Sequence, residues 1–277
     1  MKNLFQQTLT VTLLAIAILA SLLSAVASPP ITKTKSHISL PKILLTLSPE
    51  KLNVNPQEIA RQITVRIITN PGIGSGIIIS HQGQTYTVLT NNHVVADTWD
   101  YQYKLLTSDG ITHPAKRINY PQFANLDLAI LQFTSSQNYR VAKIGNSHTL
   151  LLGQSIYAAG FPNWYWVNSS NPVSTREWGL KALKVTTGTL EMLPNRSLFT
   201  GYQLGYTNDV ENGMSGGPVL DEQGRLIGIN GRLKHPFDGI DAYVFTDGSQ
   251  PSQEEFLKMS TLSWAIPIST LQKLNIP

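Results

Sequence analysis

Ser215 stands among glycines in the stretch Glu211-Asn212-Gly213-Met214-Ser215-Gly216-Gly217-Pro218. Glycines at these offsets let the backbone turn sharply and approach a ligand with no Cβ in the way. The amides of Gly213, Met214 and Ser215 can then point into one small space, an arrangement that stabilises an anion forming beside a nucleophile. A glycine-rich turn carrying a solvated serine has the same local pattern. What separates the two readings is whether a base and a carboxylate exist elsewhere.

Both are present. His93 lies in Thr90-Asn91-Asn92-His93-Val94-Val95, just after the β-prone run Tyr86 to Leu89. Asp127 lies in the apolar run Leu126-Asp127-Leu128-Ala129-Ile130-Leu131. A serine hydroxyl needs an adjacent base to become a nucleophile. Imidazole serves because it titrates near neutral pH. A carboxylate in an apolar run is rare unless it is paired, and pairing with the ring would fix its tautomer. His93 could instead be a core histidine bonded to backbone, and Asp127 a turn residue. The other histidines, His37, His81, His113, His148 and His235, sit in no comparable context.

The order His93, Asp127, Ser215 and the three segments around them resemble the chymotrypsin-like (trypsin-like) serine peptidases. Ile144-Gly145-Asn146-Ser147, Ala159-Gly160-Phe161-Pro162 and Ser263-Trp264-Ala265-Ile266-Pro267 are similar to segments of the bacterial HtrA-like branch, and they fall in the same order. The resemblance implies an all-β fold of two six-stranded antiparallel barrels with the substrate cleft between them. It implies His93, Asp127 and Ser215 as catalytic residues, Gly213 and Ser215 as the oxyanion site, and a polypeptide substrate with no cofactor and no metal. Peptide-binding members of the branch carry a further C-terminal domain; a minimal peptidase domain is expected here.

Two departures stand out. Met214 occupies the place of an aspartate that pairs with a new N-terminus in trypsin-like zymogens, and of an asparagine in the HtrA-like branch. A thioether forms no ion pair, so packing must hold the loop. Asp209, six residues before Ser215, aligns with the base of the specificity pocket and would favour Arg or Lys next to the scissile bond. An Asx-turn residue facing solvent is the other reading of Asn208-Asp209. Asn230 is expected on the pocket wall, and the following Arg232 could neutralise Asp209 or close the pocket. Nothing supports a glutamate preference, for which relatives place a histidine near Asn230.

The remaining chain bounds these readings. It has 277 residues and a formal net charge of +4. That charge is too small and too scattered for nucleic-acid binding. With no cysteine there is no disulfide, no thiolate metal site and no lipidated leader cysteine. Lys2, the apolar stretch Leu9 to Leu23 and the small-x-small pattern Ala25-Val26-Ala27 read as a signal peptide over residues 1–27, cleaved before Ser28. The alternative is an uncleaved anchor, the one route to a membrane. An exported bacterial protein, periplasmic or extracellular, fits.

Residues 28–55 read as a linker or pro-segment with Pro29, Pro30 and Pro41. A helix should start at Asn55, with Pro56 at its first position and Glu58 completing a capping box. Then come short β-prone runs split by turns: 63–68, 77–79, 86–89, 103–106, 127–133, 154–159, 184–187, 215–220 and 226–229. A closing helix is expected over Pro267 to Leu274. The expected division is 56–145 for the first barrel and 146–277 for the second with that helix.

Overall fold

Asn55 opens the ordered chain by capping α1 (Pro56–Ile63). Its side chain accepts the amides of Gln57 and Glu58 at 3.1 and 3.2 Å. The expected capping box is only half made, because Glu58 takes Gln62 Nε2 at 2.9 Å instead of reaching back to Asn55. This computed structural model describes residues 54–168 and 171–274. The expected signal peptide, and all of 28–55 but its last two residues, lie outside the described residues. Among the described residues no helix is long and apolar enough to cross a membrane.

After α1 the chain turns to strands: β1 (Thr64–Ile68), β2 (Ile73–Gln82) and β3 (Thr85–Thr90), the short α2 (Asn92–Val95), then β4 (Tyr103–Leu106), β5 (Thr112–Ile118) and β6 (Ala129–Thr134). These six close in the order β1-β2-β3-β6-β5-β4. Val65, Ile67, Ile78, Val88, Leu105 and Leu131 fill the barrel. Alternate strand residues point inward, so these β-branched and leucine side chains form a continuous interior. Each, fully buried, contributes about 1.5–3 kcal/mol by leaving water.

A second set follows: β7 (Ser155–Gly160), β8 (Trp164–Asn168), β9 (Asn171–Ser174), β10 (Lys184–Met192), β11 (Leu204–Tyr206), β12 (Pro218–Leu220), β13 (Leu226–Arg232), α3 (Gln253–Ser260), β14 (Ser263–Pro267) and α4 (Ser269–Lys273). The barrel order is β10-β11-β14-β13-β12-β7, and β8-β9 form a separate hairpin. The fold is thus two closed six-stranded antiparallel barrels with few helices. α3 falls where no helix is expected from the sequence; Ser252 and Glu255 give it the complete capping box that α1 lacks. The closing helix is shorter than expected, because Pro267 still belongs to β14.

Another cluster locks the barrels together. Ile59 and Ile63 of α1 pack with Ile77, Leu89 and Ile130 of the first barrel and with Ala159, Leu220, Ile229 and Trp264 of the second. Close packing of this kind resists sliding, so residues on opposite barrels keep a fixed separation.

The core also stores a pH dependence. Burial pushes the phenols of Tyr202, Tyr206 and Tyr243 upward, Tyr243 to about 12. A group raised in the folded state adds stability in full below its unfolded value and loses it as pH climbs through the folded one. The urea midpoint is therefore expected to hold up to about pH 10 and fall steadily beyond it. A midpoint flat across that range would contradict the burial of these hydroxyls.

Candidate active site

The expected base and carboxylate meet at the end of the first barrel. β3 ends at Thr90, whose hydroxyl donates to Ser75 O at 2.7 Å. The chain then turns into α2, which carries His93. Asp127 lies in the bend just before β6 rather than inside a strand as the apolar run suggested. Leaving the ladder frees its main chain: Asn91 Nδ2 donates to Asp127 O at 2.8 Å, and Asp127 N donates to Thr200 O at 3.0 Å.

The Asp127 carboxylate collects three donors. His93 Nδ1 lies 2.6 Å from Oδ2, His93 N lies 2.9 Å from Oδ1, and the Tyr202 hydroxyl lies 2.5 Å from Oδ2. Burial alone would raise this carboxyl; the His93 hydrogen bond and charge, then the Tyr202 and His93 amide bonds, outweigh it and hold it below the usual range. A proton on Nδ1 facing a carboxylate leaves Nε2 of the neutral ring as an acceptor. The His93 side chain is 49% exposed and Asp127 13%, so the ring is open to a reactant while its anchor is not.

Ser215 sits in the turn before β12, again outside the strand expected over 215–220. Its hydroxyl makes one long hydrogen bond, to Gly231 O at 3.5 Å. No hydrogen bond joins it to His93 among the described residues. The loop around it is pinned from several sides. Ser75 N donates to Ser215 O at 2.9 Å, and Asn163 N to Asn212 O at 2.7 Å. The Ser75 hydroxyl donates to Gly213 O at 2.8 Å while accepting Phe161 N at 2.8 Å.

With the carbonyls fixed, the amides sort into two groups. Met214 N donates to Glu211 O, Gly216 N to Asn230 O and Gly217 N to Met214 O. The amides of Gly213 and Ser215 donate to no group among the described residues. Gly213 has φ +97°, which an L side chain rarely adopts, and a Cβ there would also overlap Asn163. Two unspent N–H groups beside a serine hydroxyl can stabilise an oxyanion.

Met214 holds the loop from below. It is fully buried among Ile156, Ala158, Leu190, Tyr206 and Val210, inside the second barrel. Its sulfur also accepts Glu211 N at 3.4 Å.

The model of one protein family, the trypsin-like peptidase domain, matches residues 74–229, more than half of the chain. The chain belongs to the trypsin-like peptidase family. The serine protease Do-like HtrA of Bacillus subtilis is 26% identical over 220 residues, covering 76% of this chain and 45% of that protein. The chloroplastic protease Do-like 1 of Arabidopsis thaliana is 33% identical over 172 residues, covering 60% and 34%. A probable periplasmic serine endoprotease, DegP-like, of Buchnera aphidicola is 32% identical over 170 residues, covering 60% and 31%. The chain spans less than half the length of these relatives. Among solved structures, an HtrA-type protease AlgW with tripeptide matches with a TM-score of 0.55 at 23% identity, covering 79% of this chain and 60% of that one, a likeness of fold.

Within this trypsin-like domain the two expected specificity residues are both engaged by other groups of the protein. Asp209 is 77% exposed in its side chain and pairs with Lys234 Nζ at 2.6 Å. That hydrogen bond holds its carboxyl below the usual range. Asp209 thus faces solvent, while its neighbour Asn208 is buried with Nδ2 donating to Ile156 O at 3.1 Å and Thr186 O at 2.9 Å. Asn230 is fully buried, and its side chain is consumed by the Tyr206 hydroxyl and by Ala159 O at 3.0 Å. It braces the barrel rather than facing the cleft.

Arg232 does not reach Asp209 either. Its guanidinium binds Ala242 O, approaches Phe199 O at 3.5 Å and lies 4.8 Å from the centre of the Tyr202 ring. It walls a cleft of about 480 Å³ that opens beside Gly231 and Asn212 and also takes in Asp238, Asp241 and Tyr243. Sequence reasoning missed three residues that hold this site: Ser75, Asn163 and Tyr202. Ser75 had a usable signal, a small hydroxyl residue between Gly74 and Gly76 where two chains must approach closely. Tyr202 had none.

Proposed function

We propose that the chain is an exported serine endopeptidase in which Ser215 is the nucleophile, His93 the general base and acid, and Asp127 the group that orients His93. The observations that carry this reading are the carboxylate–imidazole pair, held by two hydrogen bonds, and a serine hydroxyl beside two unspent amides, those of Gly213 and Ser215.

The reaction runs on these groups alone. For attack the Ser215 hydroxyl must leave Gly231 O for His93 Nε2; catalytic hydrogen bonds often form only once substrate is bound. Oγ attacks the peptide carbonyl carbon as its proton passes to Nε2. The carbonyl oxygen takes the negative charge and is held by the Gly213 and Ser215 amides. Collapse breaks the C–N bond, and the imidazolium gives its proton to the departing amine. Water then attacks the Ser215 ester, His93 takes its proton, and the second collapse returns that proton to Oγ as the carboxylic acid leaves.

Export rests on the leader-like residues 1–27 and on the periplasmic description of one relative. A mature protein whose mass begins at Ser28 would agree with it.

A second reading, a latent or purely peptide-binding protein on this scaffold, is favoured by one observation: the Ser215 hydroxyl rests on Gly231. Cleavage of an unfolded polypeptide separates the two. Wild type is expected to cleave it, and Ser215→Ala to lose at least about 10⁴-fold in kcat with the fold intact. Equal cleavage by both proteins would sink the assignment, and a folded wild type without cleavage would favour the second reading.

A further inference from the structure

We infer that Tyr202 is a positioning residue, which fixes the Asp127 carboxylate, and through it His93, from the opposite barrel. The inference rests on the proposed roles of Asp127 and His93, and three separate features of the structure carry it.

The first is the contact itself. Tyr202 is 1% exposed, and its hydroxyl meets Asp127 Oδ2 at 2.5 Å. It lies just before β11, held by a tight turn in which Leu198 N donates to Tyr202 O at 2.7 Å and Gly201 N to Leu198 O at 3.0 Å. His93 reaches the same carboxylate from the first barrel. The carboxylate is therefore clamped from both sides of the cleft, and Asp127 N repeats the crossing by donating to Thr200 O.

The second is the space the phenol needs. A Cβ at position 231 would overlap the Tyr202 hydroxyl and crowd its ring. Gly231 thus makes room for the phenol at the residue whose carbonyl takes the Ser215 hydroxyl. The third is the ring's other contact. The Arg232 guanidinium covers it at 4.8 Å from its centre, so the ring is held between a cleft wall and the carboxylate.

The direction of the bond follows from protonation. Burial, then the charge of Asp127 and the hydrogen bond to it, keep the phenol protonated far above neutrality, with only Arg232 opposing. A neutral phenol facing a carboxylate donates. Without it, Oδ2 would keep the imidazole as its one partner. The carboxylate would gain rotational freedom, and its charge would act more strongly on the ring.

The test is Tyr202→Phe, which removes one oxygen. The ring C–H signals of His93 are followed by NMR from about pH 4 to 9 in folded wild type and variant, assigned by their loss in His93→Ala. The variant's midpoint is expected to rise by about half a unit or more, since a hydrogen bond to a charged group is strong. The acid limb of the kcat/KM profile should rise with it, kcat should fall about tenfold, and KM should stay within about twofold. In an Asp127→Asn background the same change should cost little further, since residues acting as one unit are not additive. A packing role alone would leave the midpoint and limb in place, and an unmoved midpoint overturns the inference. If Tyr202→Phe does not fold, Gly231→Ala displaces the hydroxyl by another route and must move the midpoint the same way. Wild type without peptidase activity would sink the catalytic reading, while the NMR titration would still decide Tyr202.

Discussion

Asp127→Asn is expected to lower kcat by about 10⁴-fold while the protein stays folded. Three donors converge on the carboxylate: His93 N, His93 Nδ1 and the Tyr202 hydroxyl. An asparagine offers one acceptor oxygen and an NH₂ group, which must face one of those donors. The cheapest relief is for His93 to change tautomer, so that Nδ1 accepts and Nε2 carries the proton. Nε2 can then no longer take the Ser215 proton, and the imidazolium formed during attack has no charge to stabilise it. Turnover of a peptide amide, with thermal unfolding recorded alongside, checks this. Activity within about tenfold of wild type would mean that Asp127 does not orient the base.

The second large effect falls on the loop that carries Gly213 and Ser215. Met214→Asp is expected to cost about 3–5 kcal/mol of stability and to abolish catalysis. The side chain is fully buried among Ile156, Ala158, Leu190 and Tyr206. Its cluster is hydrophobic, and Lys184 is already paired with Glu211. A carboxylate must either stay buried without a partner or swing out to water, and swinging out drags Gly213 and Ser215 out of line. Met214→Leu is the control, because a swap of similar volume costs less than about 1.5 kcal/mol and should stay active. A stable, active Met214→Asp would show that a partner for the carboxylate exists and that packing does not hold the loop.

What could be read from the residues depended on how local the cause was. Strands such as Thr85–Thr90 announce themselves by β-prone side chains with buried faces. β5 does not: it contains Pro114 and two cations, and of its residues only His113 is buried. The β8–β9 hairpin misleads the other way, since Trp164, Tyr165, Trp166 and Val167 form an apolar run yet stand exposed. The short β11 and β14 carry too few residues to show a period.

The site divides along the same line. His93, Asp127 and Ser215 each sit in a recognisable local context, and their order brought out the resemblance. Asp209 aligns with a pocket base in the sequence, but its partner Lys234, 25 residues along the chain, is set by the fold and carries no local mark. Tyr202 was invisible because its role exists only once the second barrel is folded against the first. A tyrosine in Gly201-Tyr202-Gln203 carries no mark of a carboxylate at 2.5 Å that lies 75 residues earlier.

The central claim is that Ser215 is an activated nucleophile beside an assembled oxyanion site. The most direct measurement is to expose purified mature protein to a fluorophosphonate, digest it and locate the adduct by mass spectrometry. A single phosphonylated residue, Ser215, is expected, at a rate that follows deprotonation of His93 and vanishes in His93→Ala. A folded protein that takes up no label, or takes it up elsewhere while Ser215 stays unmodified, would contradict it.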